Sequence, residues 1–128
     1  MSHFTCMQTR LVQKQHLLNA LKKLGHQPIE GQVKIRGYGG KETVVEIMIA
    51  TKNEGYDMGF RKNGETYELV ADWHGIKDIV PETFLNQVQQ QYAVSAVEER
   101  MQDQGFDIVT QENLPDQTIH ITVRRSVF

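Results

Sequence analysis

Asp72, Trp73 and His74 stand in consecutive positions at the end of the stretch FRKNGETYELVADWHG. A carboxylate beside an imidazole is the pairing that general acid–base chemistry uses, because histidine titrates near neutrality and a carboxylate can fix which ring nitrogen holds the proton. The spacing argues against that use. Residues 72 and 74 share a side only where a strand ends, and no serine or cysteine nucleophile follows at a recognised interval. The plainer expectation makes Trp73 a core anchor and His74 its solvated neighbour.

The residues upstream make a second constellation. An Asn63-Gly64 dipeptide predicts a two-residue hairpin loop, since both loop positions of a type I′ turn need positive φ. That loop sets Lys62 against Glu65, Phe60 against Tyr67, Met58 against Leu69 and Tyr56 against Ala71, with Trp73 continuing the apolar side. The other side collects Asp57, Gly59, Arg61, Glu68, Asp72 and His74, with Gly59 opposite Glu68 and Arg61 on its diagonal. Such a surface can hold a polar ligand or dock a partner protein. It can also be a cross-strand ion pair in water, contributing about 1 kcal/mol or less.

RGYGGK, residues 36–41, adds Arg36 and Tyr38 to the candidates. Its glycines and flanking cations could cradle a phosphate on backbone N–H groups, but the spacing is not that of a P-loop and no helix follows. A surface loop between strands is the simpler assignment. His3, His16, His26, His74 and His120 show no metal-ligand spacing, so no metal or cofactor is expected. Cys6, the single cysteine, excludes an internal disulfide and reads as a small buried strand residue.

These residues must be positioned by a chain of 128 residues that is 39% hydrophobic and 23% charged, which predicts a single domain over 1–128 with a core of its own. A net charge of −2 supplies no field for nucleic acid, and Arg124 and Arg125 fall on opposite sides of a strand. No apolar run suggests a signal peptide or a membrane span, so a soluble protein in a reducing compartment is expected.

Along the chain, residues 3–10 read as a strand, and Leu17, Leu18, Leu21 and Leu24 mark a helix ended by Gly25. Two short segments follow, Gln27 to Glu30 and Gln32 to Arg36. ETVVEIMIA sends Val45, Ile47 and Ile49 to one side and Val44, Glu46 and Met48 to the other. A long glutamine-rich helix starts at Pro81 and reaches about Gln104, with Leu85, Val88, Tyr92 and Ala96 on one stripe. FDIVTQE and QTIHITVRR make a last hairpin whose Ile119, Ile121 and Val123 face inward. The order helix, glycine, strand, turn, strand occurs twice. The expected fold is α+β, a two-layer sandwich with a mostly antiparallel sheet, two helices on one face, and two β-α-β-β halves.

MSHF at the start, RGY at 36–38, YDMGFRKNGETYELVADWHGI at 56–76, FLNQVQQQYA at 84–93 and ITVRR near the end carry a resemblance. By them the chain resembles the hypothetical chloroplast reading frame thirty-five family of cyanobacteria and algal plastids, also known as domain of unknown function number twelve fifty-seven. The resemblance covers nearly the whole chain and supplies no catalytic residues. It implies a cyanobacterial cytoplasm or plastid stroma, and a ferredoxin-type protein as a partner to test. A second aromatic, expected at 74 from the resemblance, is replaced here by His74, which weakens a catalytic role there. The leading expectation is a small non-enzymatic accessory protein that binds another protein through the polar hairpin face or the glutamine-rich helix, in assembly or regulation. The alternatives are a small-ligand or nucleotide module on the polar face and an enzyme centred on His74 and Asp72.

Overall fold

Leucines at helical spacing and glycines at positive φ delimit the helices of the computed structural model, which describes residues 3–116 and 118–126. Met1 and Ser2 of the opening MSHF, Gln117, and Val127 and Phe128 lie outside the described residues. Helix α1 (Lys14–Lys23) buries Leu17, Leu18 and Leu21, carries Lys22 and Lys23 in its last turn, and stops before Gly25 at φ 91°. Helix α2 (Pro81–Asp103) opens on Pro81, buries Phe84, Leu85 and Val88, and stops before Gly105 at φ 83°.

The strands are β1 (Thr5–Gln8), β2 (Ile29–Arg36), β3 (Glu42–Ala50), β4 (Asp57–Asn63), β5 (Thr66–Ala71), β6 (Phe106–Asn113) and β7 (Ile119–Arg125). The first five form one antiparallel sheet in the order β1-β5-β4-β3-β2, and β6 and β7 pair antiparallel as a separate ribbon. Both helices lie on one face of the sheet, where Leu17, Leu21, Phe84 and Val88 join Ile47, Ile49, Met58, Phe60 and Leu69 in one core cluster. The architecture is the α+β sandwich expected. Each helix is followed by an antiparallel hairpin, but only the first of these hairpins enters the main sheet.

The β4–β5 register differs from the expected frame by two residues. Asn63 pairs with Thr66, Lys62 with Tyr67, Arg61 with Glu68, Phe60 with Leu69 and Met58 with Ala71, and Gly59 faces Val70. Gly64, at φ 71°, is the first loop residue, so Asn63 stays in the strand. A shift of two preserves which side each side chain takes, so the apolar and polar sets survive. What changes is the pairing: Arg61 stands directly opposite Glu68.

Three further expectations are corrected. Strand β2 is continuous, with a register shift between Glu30 and Val33 around Gly31 at φ 120°, where two segments were expected. Trp73 lies in a short 3₁₀ turn, Trp73–Gly75, after β5 has ended, and packs against the core half-buried. Its indole N–H is buried with no hydrogen-bond partner among the described residues. Cys6, expected to be buried, is exposed.

The largest departure is in β3. Val45 leaves the side of Ile47 and Ile49 and joins Ile35 and Val70 in a small cluster on the sheet's other face, rimmed by Phe4, Val33 and Met48. Regular pairing with β4 runs only from Ile47 to Ala50. Arg36 pairs with Glu42, eight residues before Ala50, and a straight β3 would hold Arg36 about 26 Å from Asp57, the partner of Ala50. Yet the Arg36 N–H donates to Asp57 Oδ2 at 2.9 Å. The β2–β3 hairpin therefore bends near Val45 and Glu46 and folds back as an arm across β4 and β5. Gly59 makes this approach possible, because a Cβ there would sit 2.6 Å from Val45 Cγ2 and 2.8 Å from the Ile47 carbonyl oxygen.

Candidate functional site

The polar side of the β4–β5 hairpin is where most of the expected site residues lie, and the folded-back arm occupies much of it. Asp57, 2% exposed, accepts three hydrogen bonds from one residue: the Arg36 N–H and Nε on Oδ2, both at 2.9 Å, and Nη2 on Oδ1 at 3.1 Å. Burial of a carboxylate is tolerable only with such partners. Asp72, also 2% exposed, accepts the Tyr38 N–H at 3.0 Å and the His74 N–H at 3.3 Å. Gly37 lies between them, and a Cβ there would be 3.1 Å from the Asp72 carboxylate. The RGYGGK loop thus turns its backbone toward buried carboxylates. Its Gly37 N–H is spent on the Lys41 carbonyl, so the phosphate-cradle arrangement is not formed.

Glu68 is the hub of a neighbouring cluster. Its Oε1 accepts Arg61 Nε at 2.7 Å, and Oε2 accepts Gln8 Nε2 at 2.7 Å and Asn63 Nδ2 at 3.3 Å. Arg61 reaches on to Thr43 Oγ1 and to Cys6 Sγ, at 3.3 and 3.2 Å. The Arg61 guanidinium, first among its neighbours, holds the Glu68 carboxyl below the usual range despite burial. His74 is brought to Asp72 through its backbone, while its ring meets Tyr38 edge to face at 6.2 Å. Of the seven residues expected here, Asp57, Glu68 and Asp72 are buried, whereas Arg36, Tyr38 and His74 remain exposed and adjoin one another through the arm.

A polar stripe between the helices was not among the candidates expected from the sequence. His16, 5% exposed, has its Nδ1 2.8 Å from Ser95 Oγ and its Nε2 3.0 Å from Glu99 Oε2. Asn19 Nδ2 donates to Ser95 Oγ at 3.0 Å, and the Tyr92 ring meets His16 edge-on at 5.6 Å. His16 and Ser95 are 79 positions apart, so no local motif connects them. The signal available was periodicity: His16, Asn19 and Lys23 share one side of α1, and Tyr92, Ser95 and Glu99 share one side of α2. His26 is engaged elsewhere, edge-on to Phe84 at 5.5 Å, where burial pushes its proton affinity down. Among the described residues no three His, Cys, Asp or Glu side chains gather as a metal site.

A third feature is the seam between α2 and the β6–β7 ribbon. A groove of about 310 Å³ there is lined mainly by Ala93, Val94, Val97, Ile119 and Ile121. A second cleft of about 230 Å³ runs along Asn86, Gln87, Gln90 and Leu114. No described residue from 95 to 126 is buried. Ile119, Ile121 and Val123 point inward as expected but are covered only in part.

With this geometry established, comparison with known proteins places the chain. A family model described as a protein of unknown function, DUF1257, matches residues 20–122, and the chain belongs to that family. The chain is similar to the uncharacterized protein ycf35 of Cyanophora paradoxa, 35% identical over 128 residues and 98% of each chain. It is similarly related to the ycf35 proteins of Guillardia theta, 34% identical over 98% of each chain, and Trieres chinensis, 33% identical over 91% of each. No solved structure matches. The family resemblance read from the sequence is thereby established, and it extends over algal plastid relatives. Among the described residues no helix is long and apolar enough to cross a membrane.

Proposed function

We propose that the chain is an accessory protein of the cyanobacterial and plastid setting that binds another protein along the seam between α2 and β7. The groove lined by Val94, Val97, Ile119 and Ile121 carries this reading, because Val94 is buried at its floor while Val97 is exposed and Ile119 and Ile121 are only half-covered. Glutamines rather than charges border it at Gln87 and Gln90. That chemistry suits an extended peptide segment of the partner, whose apolar side chains enter the groove and whose backbone meets the amide-rich rim. Arg36, Tyr38 and His74 form a second contact surface, held in place by buried Asp57 and Asp72. In this reading Arg61 and Glu68 brace that surface from below.

A photo-crosslinking amino acid placed at Val97 or Thr118 in cells tests the groove, with exposed Glu54 as the control. The expected result is a discrete adduct with one other protein from Val97 and Thr118 and not from Glu54, abolished by Ile119→Asp. A purified ferredoxin-type protein is the first candidate to titrate. Equal adducts from all three positions, or none from the groove, would overturn the reading.

A further inference from the structure

We propose that the interhelical stripe is a serine nucleophile site, with Ser95 activated by His16 and Glu99, acting on small carboxylic esters. This inference does not rest on partner binding. A pair of packed helices is ordinarily joined by apolar side chains, and a buried polar network costs desolvation unless every member is satisfied. Here a directed polar chain runs beside the apolar contacts that Leu17, Leu21, Phe84 and Val88 make in the shared core. Glu99 offers only acceptor oxygens, so the 3.0 Å contact places the neutral imidazole's proton on His16 Nε2. That tautomer leaves the Nδ1 lone pair aimed at Ser95 Oγ, 2.8 Å away, within the reach a general base needs. The ring nitrogens are used in the reverse sense from the serine-protease template, but the roles of nucleophile, base and orienting carboxylate are all filled.

Ser95 opens on a cleft of about 270 Å³, where Asn19, Lys23, Gln91 and Gln111 bring N–H donors and Glu98 a carboxylate. Gln91 is 8% exposed and lines the same cleft. Asn19 and Lys23, one turn apart on α1, flank the same space and supply donors for an oxyanion. The volume limits the acyl group to a small one.

The reaction balances without any external oxidant or metal. Ser95 Oγ bonds to the ester carbonyl carbon while its proton passes to His16 Nδ1, and Glu99 stabilises the imidazolium through Nε2–H. Collapse breaks the C–O bond to the alcohol, which leaves with the proton from Nδ1. Water then adds to the acyl-serine with His16 as base, releasing the carboxylic acid and restoring the Ser95 hydroxyl.

The test uses the full chain and two probes, a biotinylated fluorophosphonate and p-nitrophenyl acetate. Peptide mass spectrometry is expected to find the fluorophosphonate on Ser95, and p-nitrophenyl acetate hydrolysis is expected to fall about 100-fold or more in Ser95→Ala and in His16→Gln. Glu99→Gln is expected to lose about tenfold while keeping labelling at Ser95. The labelling requires no variant, so it stands even where a substitution disturbs folding. Wild-type protein left unlabelled at Ser95, or hydrolysing no faster than Ser95→Ala, overturns the proposal and leaves His16 as a helix-joining residue only.

Discussion

Asp57 and Glu68 are acidic side chains taken out of water by different routes, and each route makes its own prediction. Asp57 is satisfied by a single arginine from the arm, so Asp57→Asn should cost about 1–3 kcal/mol in urea unfolding, because an amide cannot accept all three bonds. Glu68 has its folded pKa depressed below 4.5, chiefly by Arg61. A depressed carboxyl contributes stability that is present above the unfolded value and disappears as the pH falls through the folded one. Thermal stability should therefore decline as pH drops below about 4.5, and Arg61→Met should flatten that acid limb. Parity along the strands was enough to place Arg61 and Glu68 on one side from sequence alone. Parity could not show that Asp57 and Asp72 receive backbone N–H groups from residues 36 and 38, because those bonds join positions 21 and 34 residues apart.

At the scale of elements, both helices were legible because leucines at 3.6-residue spacing and terminal glycines leave few alternatives. Their mutual contact was not, since it depends on Tyr92, whose hydroxyl accepts the Val12 and Gln13 N–H groups at 3.3 and 2.9 Å and so caps α1 from α2. Tyr92→Phe should lower stability by about 1 kcal/mol, as loss of a helix cap does, measurable by chemical denaturation. The bend in β3 was hidden for a different reason: ETVVEIMIA alternates perfectly well as a straight strand. Only Gly59, packed beneath Val45, betrays it. Gly59→Ala should cost about 1–3 kcal/mol by overpacking. Pairing it with Val45→Ala should cost less than the sum of the two single changes, since the removed methyls are those the new Cβ meets; strict additivity in this double-mutant cycle would count against the fold-back.

Across the whole molecule, the two helix–hairpin units have unequal support. The first hairpin is clamped into a five-stranded sheet with a core below and a small cluster above, whereas β6–β7 is a ribbon resting on the half-exposed end of α2. Amide hydrogen exchange should therefore be slow at Ile47 and Leu69 and markedly faster at Ile108 and Val123, where opening exposes little apolar surface. Comparable protection in both units would mean that the ribbon is stabilised by more than its visible packing. The fold-back has one more consequence. Strand β2 is an outer edge of the main sheet, and an outer edge with free N–H and C=O groups invites self-templated fibril growth. The irregularity at Gly31 breaks its ladder into runs of two and four pairs, and the arm's curl carries the second run out of the sheet's plane. No long, flat row is left on that border for another molecule to copy, so the same contortion that masks two carboxylates also guards the chain against amyloid-like stacking.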